Sequence, residues 1–293
     1  MNLNDPETES LHLAELNGAA RPFLKWAGGK GKLVREILRL VPRSYSRYLE
    51  PFLGGGALFF SLCPEVAILS DSNQELMNCY EVVRDHCEAL IDELDKLTKL
   101  PYNEETYYEI RKWKLPADQK IKLAARMIYL NRTAFNGLYR VNQSGNFNTP
   151  FGKYEKLSLP PEKVFLAASK LLQKAVLMTD DFEKVLIGSA RKNDFVYLDP
   201  PYPAVGKYSD FNRYTKNFFS EKDHSRLSER VRELDEMGCT FVLSNADHPL
   251  IRELYDETKF KIVRVLAPRY INCKGDRRGD VAEVLITNNL GAR

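Results

Sequence analysis

The sequence predicts an α/β protein in which a Rossmann-like sheet is interrupted by a mainly helical segment. Residues 48–71 read as a strand, a glycine-rich turn, a helix and a second strand that ends on Asp71. This is the pattern of a nucleotide-binding α/β half. Residues 74–131 then hold successive periodic helical segments with no strand pattern between them. Because such a run breaks the α/β alternation, it indicates an inserted helical region.

Hydrophobic periodicity sets the bounds of the individual elements. Apolar spacing predicts a first helix that begins at about Lys32 and stops before Pro42. The same spacing predicts further helices at residues 57–62, 74–84, 88–97, 104–113, 119–131, 163–174, 182–187, 221–237 and 249–255. Short apolar runs predict strands at residues 48–50, 66–69, 176–178, 195–198, 239–243, 261–266 and 282–287. Asn-Gly, Ser-Gly and Thr-Pro pairs between residues 135 and 154 indicate a hairpin or a long ordered loop.

Length and composition exclude several classes of protein. The 293 residues are enough for one large α/β domain or for a domain with an insert. No apolar run approaches the roughly 18 residues of a membrane span. Five cysteines without a C-x-x-C spacing argue against a disulfide framework and a zinc site, so we expect reduced thiols, no metal and a cytoplasmic protein. The polar, acidic residues 1–20 are expected to form a disordered tail.

Charge is unevenly distributed along the chain. Residues 21–47 contain eight basic side chains and a single acidic one, Glu36, whereas residues 81–96 are mainly acidic. A one-sided basic surface suits a polyanionic partner, because each neutralised phosphate releases counterions. Charge alone favours the simpler interpretation, an ordinary solvated helix face.

The glycine-rich turn, Phe52-Leu53-Gly54-Gly55-Gly56, lies between a predicted strand and a predicted helix. Glycines let the main chain approach a ligand closely near a helix N-terminus. A carboxylate at the end of the next strand, Asp71, can accept hydrogen bonds from ribose hydroxyls. The turn is neither G-x-G-x-x-G nor a Walker loop, which disfavours dinucleotides and triphosphates as ligands.

Asp199-Pro200-Pro201-Tyr202 carries the strongest chemical signal. The aspartate follows the predicted strand 195–198, at the strand end where α/β folds bind ligands. A carboxylate and a rigidly presented prolyl carbonyl form a pair of acceptors for an exocyclic amino group. Tyr202 offers a flat face for a flipped base. The alternative is a plain Pro-Pro turn after a strand.

An aromatic and basic segment, Phe23–Lys30, stands near the N-terminus. Trp26 could stack on an adenine or on a sulfonium-bearing ligand, because an indole face attracts cations. Lys30 could meet a carboxylate. By itself the segment could equally be a surface loop with a packed tryptophan.

Taken together, these motifs resemble the Dam-like, D12-class DNA adenine-N6 methyltransferases. The resemblance spans nearly the whole chain after residue 20. Its segments are FLKWAGGK (23–30), EPFLGGG (50–56), DSN (71–73), NRTAFNGLYRVNQSGNFNTPFGKY (131–154) and DPPY (199–202). The tetrapeptide alone is shared with other amino methyltransferases, so the specificity comes from the five segments in this order.

The resemblance implies a class I methyltransferase sheet with an inserted target-recognition domain that carries a β-hairpin. S-adenosylmethionine binding and catalysis would belong to residues 21–73 and 161–293, and DNA target recognition to residues 74–160. The implied catalytic residues are Asp199, Pro200 and Tyr202. The implied S-adenosylmethionine contacts are Trp26, Lys30, Glu50, Pro51, Phe52, Gly54, Gly56, Asp71 and Asp199.

The implied DNA contacts lie mostly in the hairpin. They are Lys25, Phe135, Asn136, Leu138, Arg140, Pro150, Lys153 and Tyr154. The resemblance implies GATC as the target, and the chemistry agrees, because arginine suits guanine O6 and N7 and apolar atoms suit the thymine methyl. Two positions depart from the family pattern: Phe135 stands where tyrosine is found and Lys153 where arginine is common. Phenylalanine lacks a hydroxyl and lysine lacks the bidentate fork, which affects the preference for flanking bases.

The expected activity is direct, in-line transfer of a methyl group to a flipped adenine in double-stranded DNA, with no covalent enzyme intermediate. We expect a monomer near the nucleoid, and a restriction endonuclease partner in the same cell stays open. Two alternatives remain at this point. One is a methyltransferase that acts on RNA or on a protein glutamine amide, and the other is an inactive DNA-binding module.

Overall fold

The computed structural model describes residues 20–26, 28–31, 33–142, 144–203, 219–268 and 280–289. The predicted N-terminal tail, apart from residue 20, lies outside them. The strands are β1 (Tyr48–Glu50), β2 (Ala67–Asp71), β3 (Ala175–Thr179), β4 (Phe195–Leu198), β5 (Thr240–Ala246), β6 (Lys261–Pro268) and β7 (Asp280–Thr287).

The helices include one short member near the start of the chain and several of two to five turns. They are α1 (Val34–Leu38), α2 (Ala57–Leu62), α3 (Gln74–Asp85), α4 (Cys87–Thr98), α5 (Glu104–Lys112), α6 (Lys120–Thr133), α7 (Glu162–Leu172), α8 (Phe182–Ser189), α9 (Glu221–Met237) and α10 (Pro249–Leu254). No helix among the described residues is both long enough and apolar enough to cross a membrane.

The chain forms two compact units. Unit 1 comprises the described residues up to Gly29 together with residues 54–65 and 73–179. Unit 2 comprises the described residues of 30–53, 66–72 and from 180 onward. The predicted domain boundaries, which follow function rather than compactness, stay a prediction.

Unit 2 contains every strand except β3, in the order β2-β1-β4-β5-β7-β6. Strands β2, β1, β4 and β5 run parallel, and β7 runs antiparallel to both of its neighbours. All four residues of β4 are buried, as expected for a parallel strand covered on both faces. Helix α8 packs on β2 and helix α9 on β5. The Rossmann-like α/β sheet expected from the sequence is confirmed.

Unit 1 is mainly helical. Helix α3 packs on α6 and α7, and α4 packs on the same two helices. The ring of Phe23 contacts the rings of Tyr80, Phe165 and Phe60 at centroid distances of 5.0, 5.9 and 6.3 Å. Aromatic pairs of this kind add stability beyond the area that they bury. The N-terminal arm of the chain is thereby fixed to the helices, and the predicted helical region is confirmed.

The segment that follows α6 folds back on itself. Antiparallel bridges join Ala134 to Phe151 and Val141 to Phe147. Two features mark the turns: Asn136 adopts a left-handed φ of 54°, and the amide of Gly145 donates to the carbonyl of Asn142 at 2.9 Å. Asparagine is one of the few non-glycine residues that adopts this conformation readily. The hairpin predicted between residues 135 and 154 is therefore present.

Candidate active site

In unit 2, carboxylates stand at the ends of three adjacent parallel strands. Glu50 is the last residue of β1, Asp71 is the last residue of β2, and Asp199 directly follows β4. Because β1 pairs with both β2 and β4 in parallel, these ends share one edge of the sheet. This is the edge at which open α/β sheets bind ligands.

Asp199 is held by two donors from the same unit. The hydroxyl of Ser244, on β5, donates to Oδ1 of Asp199 at 2.8 Å. The ammonium of Lys30 lies 2.9 Å from the same oxygen, and its side chain is 7% exposed. The Tyr197 hydroxyl lies 3.0 Å from the Ser244 oxygen, and burial raises the pKa of this tyrosine far above its usual value. The Tyr197 hydroxyl therefore stays protonated, and Oδ1 of Asp199 is held by both Ser244 and Lys30.

Tyr202 is fixed at both its ring and its hydroxyl. The hydroxyl donates to Oε2 of Glu283 at 2.6 Å. The Lys30 ammonium lies 4.6 Å from the ring centroid, within the range of a cation–π contact. Burial, and then the negative charges of Asp199 and Glu283, raise the pKa of Tyr202 well above its usual value. Lys30 thus contacts both Asp199 and Tyr202 of the tetrapeptide.

Glu50 is a buried carboxylate with a buried partner. The Tyr48 hydroxyl, on the same strand, donates to Oε2 of Glu50 at 2.8 Å. Burial is the main cause that raises the pKa of Tyr48, and the Glu50 charge adds to it. A buried carboxylate is costly unless it is hydrogen-bonded, and the Tyr48 hydroxyl supplies such a bond at this strand edge.

Aromatic rings stand beside this strand edge. Phe52 follows Pro51 in the loop after β1, and its ring stacks on the ring of Phe182 at 5.2 Å with an interplanar angle of 28°. Phe219 contacts the rings of both Phe52 and Phe182. Sequence reasoning selected Phe52 and missed Phe182, although Phe182 opens helix α8 directly after the carboxylate N-cap Asp181. The sequence pattern of a strand, an acidic N-cap residue and an aromatic residue could have identified Phe182 as a candidate.

The residues of unit 2 fit S-adenosylmethionine chemically. Carboxylates at the strand ends suit the ribose hydroxyls and the positive charges of that molecule. The aromatic pair Phe52 and Phe182 suits a planar base. Among the described residues, no group of three or more metal-ligating side chains is present.

A buried histidine stands next to these rings. The His224 ring contacts the Phe219 ring edge-on at 4.8 Å, and its Nε2 atom has no hydrogen-bond partner among the described residues. Burial lowers the pKa of His224 to about 4, from an unperturbed 6.5. Between pH 6.5 and about pH 4, the ring is therefore neutral in the folded protein but protonated in the unfolded chain.

The lowered pKa predicts an acid-sensitive contribution to stability. Since the folded form binds fewer protons between pH 6.5 and pH 4, the contribution is complete above pH 6.5 and is lost as the pH falls through this window. When the pH is lowered from 7 to 5, the free energy of unfolding should fall by about 2 kcal/mol more in the wild type than in the His224→Gln variant. Urea unfolding of both proteins at the two pH values measures this difference, and parallel pH profiles would contradict it.

In unit 1, the predicted cofactor contact Trp26 stacks on a residue of the hairpin. The Trp26 and Tyr139 rings are 5.1 Å apart with an interplanar angle of 25°. The Tyr139 hydroxyl donates to Glu75 at 2.6 Å. Gly54 is required here, because its φ is +49° and an added Cβ would lie 2.8 Å from Cδ1 of Trp26. Gly56 caps helix α2 with a φ of +66°.

The predicted DNA contacts of unit 1 present polar and aromatic groups to solvent. Leu138 is half-buried, and the others in this set are exposed: Lys25, Phe135, Asn136, Arg140, Pro150, Lys153 and Tyr154. Phe135 is 43% exposed, an unusual position for a large apolar ring. Arg140 donates to the Asn148 side chain at 2.8 Å, which holds its guanidinium on the hairpin surface.

The start of the chain is tied to the hairpin. Asn131, fully buried, accepts from the Lys25 amide at 2.8 Å and donates to the Lys25 carbonyl at 2.7 Å. It also donates to the Gly137 carbonyl at 3.1 Å. The Lys25 ammonium lies 5.0 Å from the Tyr154 ring centroid. Partial burial, and then the nearby positive charge of Arg132, lower the pKa of Lys25.

Some of the predicted site residues contact one another within a unit, whereas others belong to different units. Lys30, Asp199 and Tyr202 meet in unit 2, and Lys25 meets the hairpin in unit 1. Ser244 and Glu283 contact the tetrapeptide but were missed, since both are distant in sequence and belong to no recognisable motif.

Comparison with known proteins agrees with this geometry. Residues 26–270 match the family of D12 class N6 adenine-specific DNA methyltransferases. The chain is 38% identical to the type II methyltransferase M1.LlaDCHI of Lactococcus lactis subsp. cremoris over 92% of its length and 95% of the relative's. It is 40% identical to the type II methyltransferase M.MjaIII of Methanocaldococcus jannaschii, over 92% and 99%. It is 33% identical to the DNA adenine methylase of Haemophilus influenzae, over 93% and 94%.

These matches each extend over most of the chain and of the relative. They include the segments that hold the carboxylate edge, the tetrapeptide and the hairpin. The alternatives of RNA, of a protein amide and of an inactive module lose their support. The chain belongs to the D12 class of N6 adenine-specific DNA methyltransferases.

Proposed function

We propose that this enzyme takes its methyl group from S-adenosylmethionine and transfers it to N6 of a flipped adenine within GATC in duplex DNA. The arrangement of Asp199 carries the proposal. Its contacts with Ser244 and Lys30 both use Oδ1. These contacts hold Oδ1, and we assign Oδ2 to the substrate as a further acceptor.

Oδ2 of Asp199 and the carbonyl of Pro200 are the acceptors that we assign to the adenine amino group. Two acceptors on one –NH2 group withdraw its protons from the ring plane and make the nitrogen lone pair available. Proline fixes its own φ, so its carbonyl is held without further support. The ring of Tyr202 provides the stacking face for the base.

By the family pattern we assign a set of carboxylate, aromatic, basic and loop residues to the cofactor. They are Trp26, Lys30, Glu50, Pro51, Phe52, Gly54, Gly56, Asp71 and Asp199. Bound S-adenosylmethionine supplies an activated methyl group on a sulfonium. The carboxylates at the strand edge attract its positive charge and its hydroxyl groups. Alignment of the two reactants then provides much of the catalysis.

The hairpin of unit 1 is assigned to sequence recognition. Arg140 would read guanine, whereas Leu138 and Pro150 would contact the thymine methyl. Phe135 and Asn136 would enter the duplex beside the flipped base. The exposure of both side chains to solvent supports this assignment. Lys25, Lys153 and Tyr154 would contact the flanking DNA.

Two further expectations concern the cellular context. Two relatives carry the name type II methyltransferase, so we include in the proposal a restriction endonuclease that cleaves the same unmethylated sequence. We also propose that the enzyme acts as a monomer in the cytoplasm, close to the nucleoid. Size-exclusion chromatography with light scattering, with and without duplex DNA, tests the monomer.

One experiment tests the proposed function directly. The purified enzyme is incubated with S-adenosylmethionine and an unmethylated plasmid, and N6-methyladenine is mapped at single-base resolution. Methylation confined to GATC supports the proposal in full. Methylation at another sequence overturns the target but keeps the reaction, and label transfer only to RNA or protein added in parallel overturns the substrate.

Lys30→Met tests the contact with the tetrapeptide. Methionine keeps the apolar stem but removes the ammonium that lies 2.9 Å from Asp199. A hydrogen bond to a charged group is lost, so we expect kcat to fall by at least about tenfold. Steady-state methylation assays measure this fall. The matched control is Lys174→Met, at a 41% exposed lysine of unit 1 that pairs with a surface glutamate. Unchanged kcat in Lys30→Met would remove Lys30 from the mechanism.

A further inference from the structure

One buried carboxylate at the site has no part in the mechanism described above. Glu283 is 8% exposed and accepts the hydrogen bond from the Tyr202 hydroxyl at 2.6 Å. An acid of this kind is costly to bury without a partner, and the described hydrogen bond gives it one at the tetrapeptide.

The main chain at Glu283 is paired with a strand on each side. Strand β7 pairs on one side with β5, where Glu283 lies opposite Ala246, and on the other with β6, where it lies opposite Val265. Backbone hydrogen bonds to strands on both sides restrict the main chain of an interior strand. The carboxylate is therefore attached to a strand that is paired on both sides.

Tyr202, by contrast, lies outside any strand or helix. Its two preceding prolines fix φ at their own positions only, and the side chain still rotates about two bonds. A hydrogen bond at the far end of the ring, at the hydroxyl, removes most of that freedom. The ring is held at one end by the backbone and at the other by Glu283.

The Tyr202 ring lies among the charged side chains of Lys30, Asp199 and Glu283. The Lys30 ammonium is 4.6 Å from its centroid and 2.9 Å from Asp199. Rotation of the ring would therefore also disturb the contact that orients the acceptor for the amino group. Burial raises the pKa of Tyr202, so the hydroxyl remains a donor wherever the enzyme is assayed.

We propose that Glu283 is a positioning residue for methyl transfer, which fixes the Tyr202 ring as the stacking surface for the target adenine. This inference rests on the proposed function, because it assigns a base to that ring. It acts on kcat more than on binding, since a mispositioned base still binds but is poorly aligned for attack.

The kinetic test uses Glu283→Ala, Glu283→Gln, Tyr202→Phe and the double variant Glu283→Ala/Tyr202→Phe. Loss of this hydrogen bond should lower kcat by about tenfold, with KM for DNA and for S-adenosylmethionine changed less than about twofold. Glutamine still accepts the hydroxyl hydrogen and should restore most of the rate. Because both single changes break the same bond, the double variant should be no slower than either one.

A spectroscopic readout separates positioning from a general loss of structure. DNA that carries 2-aminopurine at the target position should show altered fluorescence in the Glu283→Ala complex, because the base no longer stacks in the same place. Tyr202→Phe, which keeps the ring and empties no core site, should show the same change. The control is Glu65→Gln, at a glutamate that is 84% exposed.

Additive effects of the two single changes, or wild-type kcat in both, would overturn the inference. A crystal structure of Glu283→Ala gives a further result that does not depend on the substrate: the Tyr202 ring should leave its place beside Lys30. An unmoved ring would overturn the inference even if the enzyme methylated something other than DNA. Failure of the wild type to methylate DNA would instead count against the proposed function.

Discussion

Asp199→Asn should lower kcat by at least about a hundredfold while leaving the fold intact. The substitution is nearly isosteric. The asparagine carbonyl can still accept from Ser244 and Lys30, which reach Oδ1 in the wild type at 2.8 and 2.9 Å. Its amide nitrogen then takes the position of Oδ2. A donor would face the adenine amino group where the mechanism requires an acceptor, and the two groups would repel each other.

The measurement is a single-turnover methylation assay with duplex DNA, accompanied by DNA binding and thermal unfolding. Duplex affinity should change little, because the hairpin of unit 1 is untouched. Asp180→Asn is the matched control, since Asp180 pairs only with Lys184 among the described ion pairs and lies on the surface. Retained turnover in Asp199→Asn would exclude the carboxylate from catalysis, and loss of folding would reassign it to a structural role.

Much of the fold could be predicted because it is determined locally. The observed bounds of β1, α2, β4 and α9 coincide with those predicted from periodicity and capping. Helix α9 shows why: Ser220 and Asp223 form a capping box, and Gly238 ends the helix at a φ of +83°. Such signals lie within a few residues of the element that they define.

Strand ends and strand order depend on distant partners instead. Strand β5 extends beyond its predicted end because it pairs with β7 as far as Ala246↔Glu283. Strand β7 begins before its predicted start because it pairs with β6 from Pro268↔Asp280. No local signal in these segments indicates either pairing. The same limit applies to the site: Ser244 is 45 residues from Asp199, and Glu283 is 81 residues from Tyr202. The tetrapeptide is visible in the sequence, whereas the residues that orient it come together only on folding.

Trp26 illustrates a different limit. The sequence could assign its ring to a ligand or to packing, and the structure stacks it on Tyr139 within unit 1. A stacked ring can still contribute an edge to a ligand. The predicted role of Trp26 in binding S-adenosylmethionine therefore stays a prediction, and so do the roles of Lys25 and of the hairpin residues toward DNA.

Gly152→Ala should impair DNA methylation by at least about tenfold, through a shift of the hairpin. An added Cβ would lie 2.5 Å from the Tyr154 ring and 2.8 Å from the carbonyl oxygens of both Ala134 and Thr133. The ring could rotate, but the carbonyls belong to the backbone at the end of α6. The Gly152 amide also donates to the Thr133 carbonyl at 2.8 Å, so the main chain cannot move without breaking that bond.

The hairpin arm must therefore be displaced from α6, and with it the neighbouring candidates for DNA contact, Pro150, Lys153 and Tyr154. Overpacking of this kind costs about 1–3 kcal/mol of folding free energy, which urea unfolding measures. S-adenosylmethionine affinity should stay within about twofold, since only the hairpin is strained. The matched control is Gly188→Ala, in helix α8, where an added Cβ meets open space. That change should leave activity unaltered and, because alanine favours the helix, stabilise the protein by about 0.5–1 kcal/mol. Equal behaviour of the two variants would show that the approach of the hairpin to α6 is not needed for DNA methylation.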